Sequence, residues 1–280
     1  MQRIKSLLNK ATHLLVADSN SAALDAEILL CFILNKERTY LRTWPDRELN
    51  TEQTDRYWTL IQERQKGTPI AYITGHREFW SRDFLVTPDV LIPRPDTELL
   101  IELSLKLIPD NRPTKIIDLG TGSGIIAITL AAERPHAQIS AADISLAALN
   151  IAQLNANKHH TPIKFYSSNW LADIPTSKFD LIVSNPPYIA EHDDHLSQGD
   201  LRFEPLSALR ASEQGLSDIK IIADTARDYL EAGGYLLIEH GYDQQQAVEK
   251  IFIDYAYKTV QTAKDLSGQP RVTYGQCHKI

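Results

Sequence analysis

Cysteine is scarce in this chain of 280 residues, which contains only Cys31 and Cys277. These two positions show neither the paired spacing of a metal site nor the dense pattern of a disulfide framework. The sequence therefore argues against a disulfide-stapled secreted domain and against a cysteine-ligated metal protein. So few cysteines favour a reducing, cytoplasmic setting.

Long apolar runs are also missing. No run of 18 or more apolar residues occurs, so we expect neither a membrane-spanning helix nor a membrane partner. The first residues, MQRIKSLLNKATHLLVADSN, place apolar residues at helical spacing. They lack the continuous apolar core of a signal peptide, so no such peptide is expected.

An excess of basic charge is the third absence, since the formal net charge is −7 at pH 7. Residues 1–90 carry 12 Lys+Arg and 12 Asp+Glu, whereas residues 91–280 carry 17 and 24, so the whole negative excess lies in the second part. Such a chain has no global attraction for a nucleic acid backbone, which usually requires a basic face. We therefore expect no direct sequence-specific binding of nucleic acid.

The first 90 residues divide into a helical segment and a short β-like segment. Apolar residues at helical spacing predict three helices in a small domain at 1–75, the third covering Glu52–Lys66 and ending at Gly67. Two β-like runs, Glu78–Trp80 and Asp83–Val86, predict a β-hairpin within a linker at 76–90.

Short strands alternate with helices over residues 91–280. This alternation is typical of an α/β domain whose mostly parallel sheet is covered by helices on both faces. The last two strand-like segments, 257–263 and 271–277, flank the turn LSGQP and predict a final hairpin. That hairpin places an antiparallel strand in the sheet. The predicted fold is therefore α/β, with a small N-terminal helical domain.

A glycine-rich turn joins the first strand and the next helix of this region, in the sequence IIDLGTGSGIIAI. The strand ends at Asp118, and Gly120, Gly122 and Gly124 allow positive φ and a close approach of the backbone to a ligand. A dinucleotide site would show G-x-G-x-x-G and a pyrophosphate at the helix N-terminus. The spacing here is G-x-G-x-G, and the acid opposes a pyrophosphate, so a cationic ligand with an amino group is favoured.

A second carboxylate, Asp143, ends the following strand 25 residues after Asp118. This spacing is close to that at which a carboxylate binds the hydroxyls of a ribose. The alternative is that Asp143 only caps the helix predicted at 145–157, because aspartate is a strong N-cap. Its occurrence together with the glycine turn favours the ribose role.

The glycine turn and Asp143 together resemble the cofactor site of class I S-adenosylmethionine-dependent methyltransferases. The resemblance implies a seven-stranded, Rossmann-like sheet. It also implies that residues 120–124, with Thr121 and Ser123 between the glycines, wrap the methionine and ribose portion of S-adenosyl-L-methionine. Asp143 would bind the ribose hydroxyls, and Asp118 would border the same ligand.

The stretch FDLIVSNPPYIA places an amide, two prolines and an aromatic ring at the end of a strand. The Asn185 side-chain oxygen and the Pro186 carbonyl are two acceptors for the hydrogens of a planar nitrogen. Pro186 and Pro187 stiffen the loop, and the Tyr188 ring can stack on a planar group that becomes positively charged. N-P-P-Y resembles the loop of methyltransferases that act on adenine amines or glutamine amides; the alternative is a rigid turn.

Four stretches, IPRPDTELL, DLGTGSGIIAI, SNPPYIA and RFEPLSALRASEQGLSDI, together resemble the release factor glutamine methyltransferase family over nearly the whole chain. The resemblance implies methylation of N5 of the glutamine in the Gly-Gly-Gln loop of bacterial class 1 peptide chain release factors. It implies that the helical domain helps to grip the release factor. It also places Trp170 beside the cofactor's adenine, where the alternative is a plain core aromatic.

Two other functions stay open from the residues alone. A DNA adenine N6-methyltransferase would use the same loop, but such enzymes usually carry a target-recognition region and basic patches, which this sequence lacks. A non-catalytic adaptor that binds a translation factor would keep a relic pocket, but the intact Asp118, Asp143 and Asn185 argue against it.

Two further polar stretches carry weaker signals. PRPDTE is a helix start that the family places beside the active site, so Arg94 and Glu98 are expected to border it. The loop EHDDHLSQGD clusters acids with His192 and His195, and an exposed polar loop is the favoured interpretation. No metal is assigned.

Overall fold

The computed structural model describes residues 2–110 and 112–278. The first residue of the predicted helical domain lies outside the described residues, as do residue 111 and the last two residues of the predicted methyltransferase domain. The described chain forms two units, one running up to His76 with Ser197–Phe203, and the other comprising Arg77–Leu196 and the residues from Glu204 onward. The domain limits 1–75, 76–90 and 91–280 stay predictions.

The first unit is helical and is built around an apolar core that includes Leu7, Leu29 and Tyr57. Its elements are α1 (Ile4–Leu15), α2 (Ala22–Leu34), α3 (Arg38–Thr43), α4 (Thr51–Gln65), α5 (Ile70–Thr74), β1 (Gln2–Arg3) and β2 (Glu48–Leu49). The third predicted helix is α4, displaced by one residue. The sequence did not indicate α3 and α5, because helices of one or two turns are too short to show a periodicity.

The segment Ser197–Phe203 belongs to the helical unit through polar contacts that no local pattern signals. Arg64, nearly buried, pairs with Asp25 at 2.7 Å and reaches the Asp200 carboxylate at 3.2 Å. Arg202 donates to the carbonyl of Lys66 at 3.4 Å. Arg64 and Asp200 lie 136 residues apart in sequence, as do Lys66 and Arg202, so no local pattern could indicate these contacts.

The remaining strands and helices follow in chain order. The strands are β3 (His76–Phe79), β4 (Arg82–Leu85), β5 (Lys115–Leu119), β6 (Gln138–Asp143), β7 (Ile163–Ser167), β8 (Phe179–Ser184), β9 (Ile189–Ala190), β10 (Arg210–Ala211), β11 (Leu230–Glu239), β12 (Lys258–Lys264) and β13 (Pro270–Gln276). The helices are α6 (Glu98–Leu107), α7 (Ile125–Glu133), α8 (Leu146–Lys158), α9 (Ser212–Gly215), α10 (Ser217–Tyr229) and α11 (Gln245–Asp254). Strands β3 and β4 pair as the predicted hairpin, starting one or two residues earlier than expected.

Seven strands form one sheet in the order β12-β13-β11-β8-β5-β6-β7. The neighbours from β11 to β7 are parallel, whereas β13 is antiparallel to both β11 and β12. Successive side chains of β8, such as Leu181 and Ile182, enter separate apolar cores on opposite faces. Both faces are therefore buried beneath helices, which confirms the predicted seven-stranded, mostly parallel sheet with a final hairpin.

The connection order creates a switch point in the middle of this sheet. The chain passes from β5 to β6 and β7 on one side, and then returns to β8 on the other side of β5. Leu119, the last residue of β5, pairs with Ser184, the last residue of β8. The next residues, Gly120 and Asn185, therefore leave the sheet side by side, where open α/β sheets bind ligands.

Candidate active site

A cavity of about 260 Å³ opens at this edge of the sheet, near the lower end of the roughly 300–1,000 Å³ that small-molecule sites occupy. Most of the residues predicted for the site line it: Gly120, Thr121, Gly122, Ser123, Asp143, Trp170, Asn185 and Pro187. Four predicted residues are not among those that line it: Asp118, Gly124, Pro186 and Tyr188. The structure therefore brings together the glycine turn, the second carboxylate and the N-P-P-Y loop.

The glycine turn is shaped by three left-handed residues. Gly120, Gly122 and Gly124 have φ of 71°, 56° and 85°. A Cβ on Gly122 would meet no atom within 4 Å, whereas a Cβ on Gly124 would lie 2.9 Å from Ile128 Cδ1. The turn is thus open at Gly122 and tightly packed at Gly124, where α7 begins. This arrangement lets a ligand approach the backbone at Gly122 closely.

Asp118 lies beneath the turn. Its side chain is 0% exposed, and its Oδ2 accepts hydrogen bonds from Thr121 Oγ1 at 2.6 Å and from the Ala127 amide at 3.3 Å. Burial raises the pKa of Asp118 to about 7, and Oδ1 has no hydrogen-bond partner among the described residues. The sequence suggested that this acid faces the ligand. The side chain instead holds the turn from below, because alternation along β5 directs it beneath the start of α7.

Asp143 is held at the cavity wall by backbone amides. Its Oδ2 accepts from the Gly122 amide at 2.9 Å, and its Oδ1 accepts from the Ser145 amide at 2.9 Å. Burial raises the pKa of Asp143, and these hydrogen bonds oppose the rise. The cap of α8 is Ser145, whose Oγ accepts from the Ala148 amide, so the alternative of Asp143 as the helix cap is wrong. The Ile144 backbone also hydrogen-bonds this carboxylate, so three of its four lone pairs are engaged and one remains for a ligand hydroxyl.

Trp170 forms part of the cavity wall and also packs against the apolar core. Its φ of 51° is unusual for a bulky residue, and its indole Nε1 donates to Asp218 Oδ1 at 3.2 Å. A Cβ on Gly120 would lie 3.2 Å from the indole ring. The ring is therefore fixed beside the glycine turn, where it presents a flat surface to the cavity.

The Asn185 amide is oriented by a residue from another segment. Its Nδ2 donates to Thr97 Oγ1 at 3.3 Å, and Thr97 is only 1% exposed. The preceding Ser184 donates from Oγ to the Leu119 carbonyl at 2.8 Å, which ties the end of β8 to the end of β5. With Nδ2 engaged by Thr97, Oδ1 is the amide atom that remains to accept a hydrogen bond.

The end of the N-P-P-Y loop is held by contacts with other segments of the chain. The Tyr188 carbonyl accepts from Gln244 Nε2 at 3.0 Å, and a Cβ on Gly215 would lie 2.0 Å from that carbonyl oxygen. The Tyr188 hydroxyl and Thr97 both hydrogen-bond the carboxyl of Glu239, which is 1% exposed. Burial raises the pKa of Glu239 to about 7. Tyr188 is therefore engaged at both its backbone and its ring end.

Four of these residues were missed by sequence reasoning: Thr97, Gly215, Glu239 and Gln244. Thr97 and Gly215 lie within the quoted stretches IPRPDTELL and RASEQGLSDI, but nothing local indicates which residue of another segment they meet. Glu239 could have been predicted from the sequence, because it is an acid at the end of an apolar strand, as Asp143 is.

Arg94 borders the cavity, as expected, whereas Glu98 does not. Arg94 pairs with the buried carboxylate of Glu204, whose Oε2 also accepts from the Ile92 amide at 3.1 Å. Glu98 instead accepts from the Trp80 amide at 3.2 Å.

The acidic loop that follows N-P-P-Y is held by its own contacts. Within it, Asp193 Oδ1 accepts from the His195 amide at 2.9 Å. Among residues 2–110 and 112–278, no group of three or more His, Cys, Asp or Glu side chains has a metal-binding arrangement. Over the same ranges, no helix combines the length and apolar character needed to cross a membrane.

Comparison with known proteins agrees with this geometry. One family model, described as the PrmC N-terminal domain, matches residues 6–75, and another, the Methyltransferase small domain, matches residues 96–201. A release factor glutamine methyltransferase of Shewanella oneidensis is 48% identical over 263 residues, which cover 94% of this chain and 92% of that protein. Proteins of the same name from Vibrio cholerae and Escherichia coli K12 are 46% and 45% identical, covering 98% and 93% of this chain and 96% and 94% of their own lengths.

Solved structures resemble the fold at much lower identity. A methyltransferase from Pyrococcus furiosus superposes with a TM-score of 0.55 at 14% identity, covering 79% of this chain and 98% of that one. The 16S rRNA N2 G1207 methyltransferase of Thermus thermophilus, solved with AdoMet and guanosine, gives 0.52 at 18% identity, covering 72% and 49%. At such identities the likeness concerns the fold alone, and it agrees with the seven-stranded sheet.

Proposed function

This chain belongs to the release factor glutamine methyltransferase family, and we propose that it methylates N5 of the glutamine in the Gly-Gly-Gln loop of class 1 peptide chain release factors. Its methyl donor is S-adenosyl-L-methionine. The observation that carries the proposal is that Asn185 shares one cavity with the glycine turn and Asp143. An amide acceptor thus lies where the donor's methyl group would be presented.

The residues around the cavity fit S-adenosyl-L-methionine. The open space at Gly122 admits a ligand against the backbone, and the carboxylate of Asp143 at the cavity wall suits a ribose hydroxyl. The Trp170 ring offers a flat surface for an adenine, and the buried carboxyl of Asp118 lies under the turn, where negative charge favours a cation. When bound, the cofactor supplies a methyl group on a positively charged sulfur.

The chemistry asks the protein to orient a weak nucleophile. The lone pair of a glutamine amide nitrogen is delocalised into its carbonyl, so the nitrogen must be held where that lone pair meets the methyl carbon. Asn185 Oδ1 and the Pro186 carbonyl accept the two hydrogens of this nitrogen, and both stabilise its positive charge as it develops. The methylated amide cation is strongly acidic and loses its proton readily, so no dedicated base is required.

Replacement of Asp143 by alanine is expected to weaken cofactor binding. Each charge-assisted hydrogen bond to a ribose hydroxyl contributes about 1.5–3 kcal/mol, so Kd should rise at least about tenfold. Calorimetry with S-adenosyl-L-methionine measures this directly. Asp193→Ala is the matched control, because Asp193 also accepts from a backbone amide but lies outside the cavity. Equal affinities for the two variants would remove Asp143 from the cofactor site.

The proposed substrate is tested by methyl transfer from radiolabelled S-adenosyl-L-methionine. Purified release factor should gain one labelled methyl group, which mass spectrometry should locate on the loop glutamine. A release factor with alanine in place of that glutamine is the control and should gain none there. Label on duplex DNA adenine, with the release factor unmodified, would overturn the assignment.

The other two functions that the residues left open have no support in this family. The relatives that match nearly the full chain carry the name of a release factor glutamine methyltransferase, which favours neither a DNA enzyme nor an adaptor. The acidic net charge of −7 likewise gives no reason to add a nucleic acid partner. A cytoplasmic location is part of the proposal, since release factors act in translation.

We assign recognition of the release factor to the helical unit. Several large apolar side chains of this unit are exposed: Leu14, Val16, Leu24, Phe32 and Trp44. Trp44 is 56% exposed, and tryptophan is enriched at the energetic centres of protein interfaces. These side chains support a role in gripping a protein substrate.

A further inference from the structure

The Asn185 side chain has two orientations of nearly the same shape but opposite chemistry. In one orientation Oδ1 faces the cavity and accepts an N–H of the substrate amide. In the other orientation Nδ2 faces the cavity, and because it is itself a donor it forms no hydrogen bond with the N–H groups of the substrate. The reaction therefore depends on whatever contact holds the far end of this amide.

Thr97 makes that contact. Its Oγ1 accepts a hydrogen bond from Nδ2 of Asn185 at 3.3 Å. Thr97 is only 1% exposed, so its hydroxyl has almost no access to bulk water. A threonine hydroxyl carries one hydrogen and two lone pairs, so it selects the amide orientation only if its hydrogen is engaged elsewhere. A free hydroxyl would instead donate to Oδ1 and allow the wrong orientation.

Glu239 engages that hydrogen. Ile238 pairs with Ser184 across β11 and β8, so the next residues, Glu239 and Asn185, leave the sheet as neighbours. The Glu239 carboxyl hydrogen-bonds both Thr97 and the Tyr188 hydroxyl. An ionised carboxylate only accepts hydrogen bonds, so both hydroxyls must donate to it. The Thr97 hydroxyl can then only accept a hydrogen bond from Asn185, and only Nδ2 of the amide can donate one.

We propose that Thr97 and Glu239 are positioning residues that direct Oδ1 of Asn185 toward the substrate amide. The chain of donors runs from Asn185 Nδ2 to Thr97 Oγ1, and from the Thr97 hydroxyl to Glu239. Glu239 holds Tyr188 by the same acceptor chemistry, so one buried carboxyl orders both ends of the N-P-P-Y loop. This inference rests on the proposed function, because the orientation matters only if Asn185 accepts a hydrogen of the substrate.

The charge on Glu239 is set by burial and by a small group of charged neighbours. The charges of Asp96 and Arg271 act on Glu239, and the Tyr188 hydroxyl hydrogen-bonds it. The charge of Arg94 in turn opposes the rise that burial causes in the pKa of Tyr188. Arg271 is itself paired with Asp96 and Asp265, each at 3.1 Å. Burial is the largest influence and raises the pKa of Glu239 to about 7. Because Oε2 has no hydrogen-bond partner among the described residues, a proton on Oε2 leaves the other oxygen to accept from Thr97 and Tyr188.

The central experiment compares Thr97→Val with Thr97→Ser in methyl transfer to release factor. Valine keeps the shape without the hydroxyl, whereas serine keeps the hydroxyl without the methyl group. We expect kcat to fall about tenfold in Thr97→Val, the worth of one hydrogen bond, and to stay within about twofold of wild type in Thr97→Ser. KM for the release factor and Kd for S-adenosyl-L-methionine should change far less than kcat. Equal kcat in the two variants would overturn the proposal.

A second comparison keeps or removes the accepting oxygen at position 239. Oε2 of Glu239 has no hydrogen-bond partner among the described residues, so Glu239→Gln can place its NH₂ there and keep the oxygen that accepts from Thr97. Glu239→Leu removes both oxygens. We expect kcat to stay within about twofold of wild type in Glu239→Gln and to fall about tenfold in Glu239→Leu, as in Thr97→Val. Equal kcat in these two variants would contradict the role of Glu239.

A third measurement does not depend on the substrate. In nuclear magnetic resonance spectra of the free protein, assigned with Asn185→Ala, one Nδ2 proton of Asn185 should show the shift of a hydrogen-bonded amide. This shift should be present in wild type and absent in Thr97→Val. Unchanged Asn185 signals in Thr97→Val would overturn the inference even if the release factor is methylated. Absence of methyl transfer by wild type, with the expected spectra, would instead overturn the proposed function.

Discussion

Replacing Asn185 with alanine is expected to lower kcat for methyl transfer by roughly 10²–10³, as loss of one preorganised polar contact does in other enzymes. Asn185 Oδ1 acts on the amide nitrogen only as that nitrogen becomes nucleophilic, so the loss falls on the chemical step. The glycine turn and Asp143 keep their own backbone contacts in this variant. Affinity for S-adenosyl-L-methionine should therefore change far less than kcat.

Single-turnover kinetics with release factor and calorimetry with the cofactor together check this expectation. Asn150→Ala is the matched control, because Asn150 is exposed on α8 and lies outside the cavity wall. It should behave as wild type in both measurements. A cofactor affinity that falls in Asn185→Ala as steeply as kcat would show that Asn185 holds the cofactor and does not orient the substrate.

Replacing Gly215 with alanine is expected to lower kcat/KM by about 10² or more, although Gly215 lies outside the cavity wall. The added Cβ would lie 2.0 Å from the Tyr188 carbonyl oxygen and 2.6 Å from its carbon, both of them backbone atoms that cannot rotate away. The N-P-P-Y loop must then shift, and a misplacement of about 1 Å can cost about 10² in rate. The left-handed φ of 84° adds strain of about 1–2 kcal/mol.

Gly268→Ala separates the clash from the strain. Gly268 has a similar φ of 79°, but a Cβ there would meet no atom within 4 Å. Thermal unfolding should show a loss of stability in both variants and a larger one in Gly215→Ala. Only Gly215→Ala should lose methyl transfer. Similar activity in both would mean that the backbone around Tyr188 accommodates the methyl group without moving Asn185.

Local sequence pattern was sufficient to predict the seven-stranded sheet, its helices and the glycine turn. Alternating apolar strands and amphipathic helices determined the parallel sheet, because a strand buried on both faces and a helix buried on one leave different periodicities. The glycine turn was recognisable because positive φ at alternate positions demands glycine. Asp143 and Asn185 were predicted for the site because each lies at the end of a strand, and the ends of parallel strands meet at one edge. The structure places both at the cavity wall.

Tyr188 shows where the sequence was incomplete. Its ring was predicted to stack on the substrate, whereas in the structure its hydroxyl meets Glu239 and Tyr188 is not among the residues that line the cavity. Asp118 was predicted to border the ligand, and its side chain braces the turn from beneath. The sequence supplies the residue type in both cases, but the direction of a side chain depends on which neighbour fills the space beside it.

The sequence by itself determined the fold class and the family and predicted the groups that carry the chemistry, since each is encoded in short spacings along the chain. Only the tertiary structure decided how those groups are held. Thr97 meets Asn185 across 88 residues, Gly215 packs under Tyr188, and Glu239 joins Thr97 and Tyr188. These contacts arise when strands pair and segments cross at the sheet edge. Their energy depends on burial and on hydrogen-bond direction, which no spacing along the chain records.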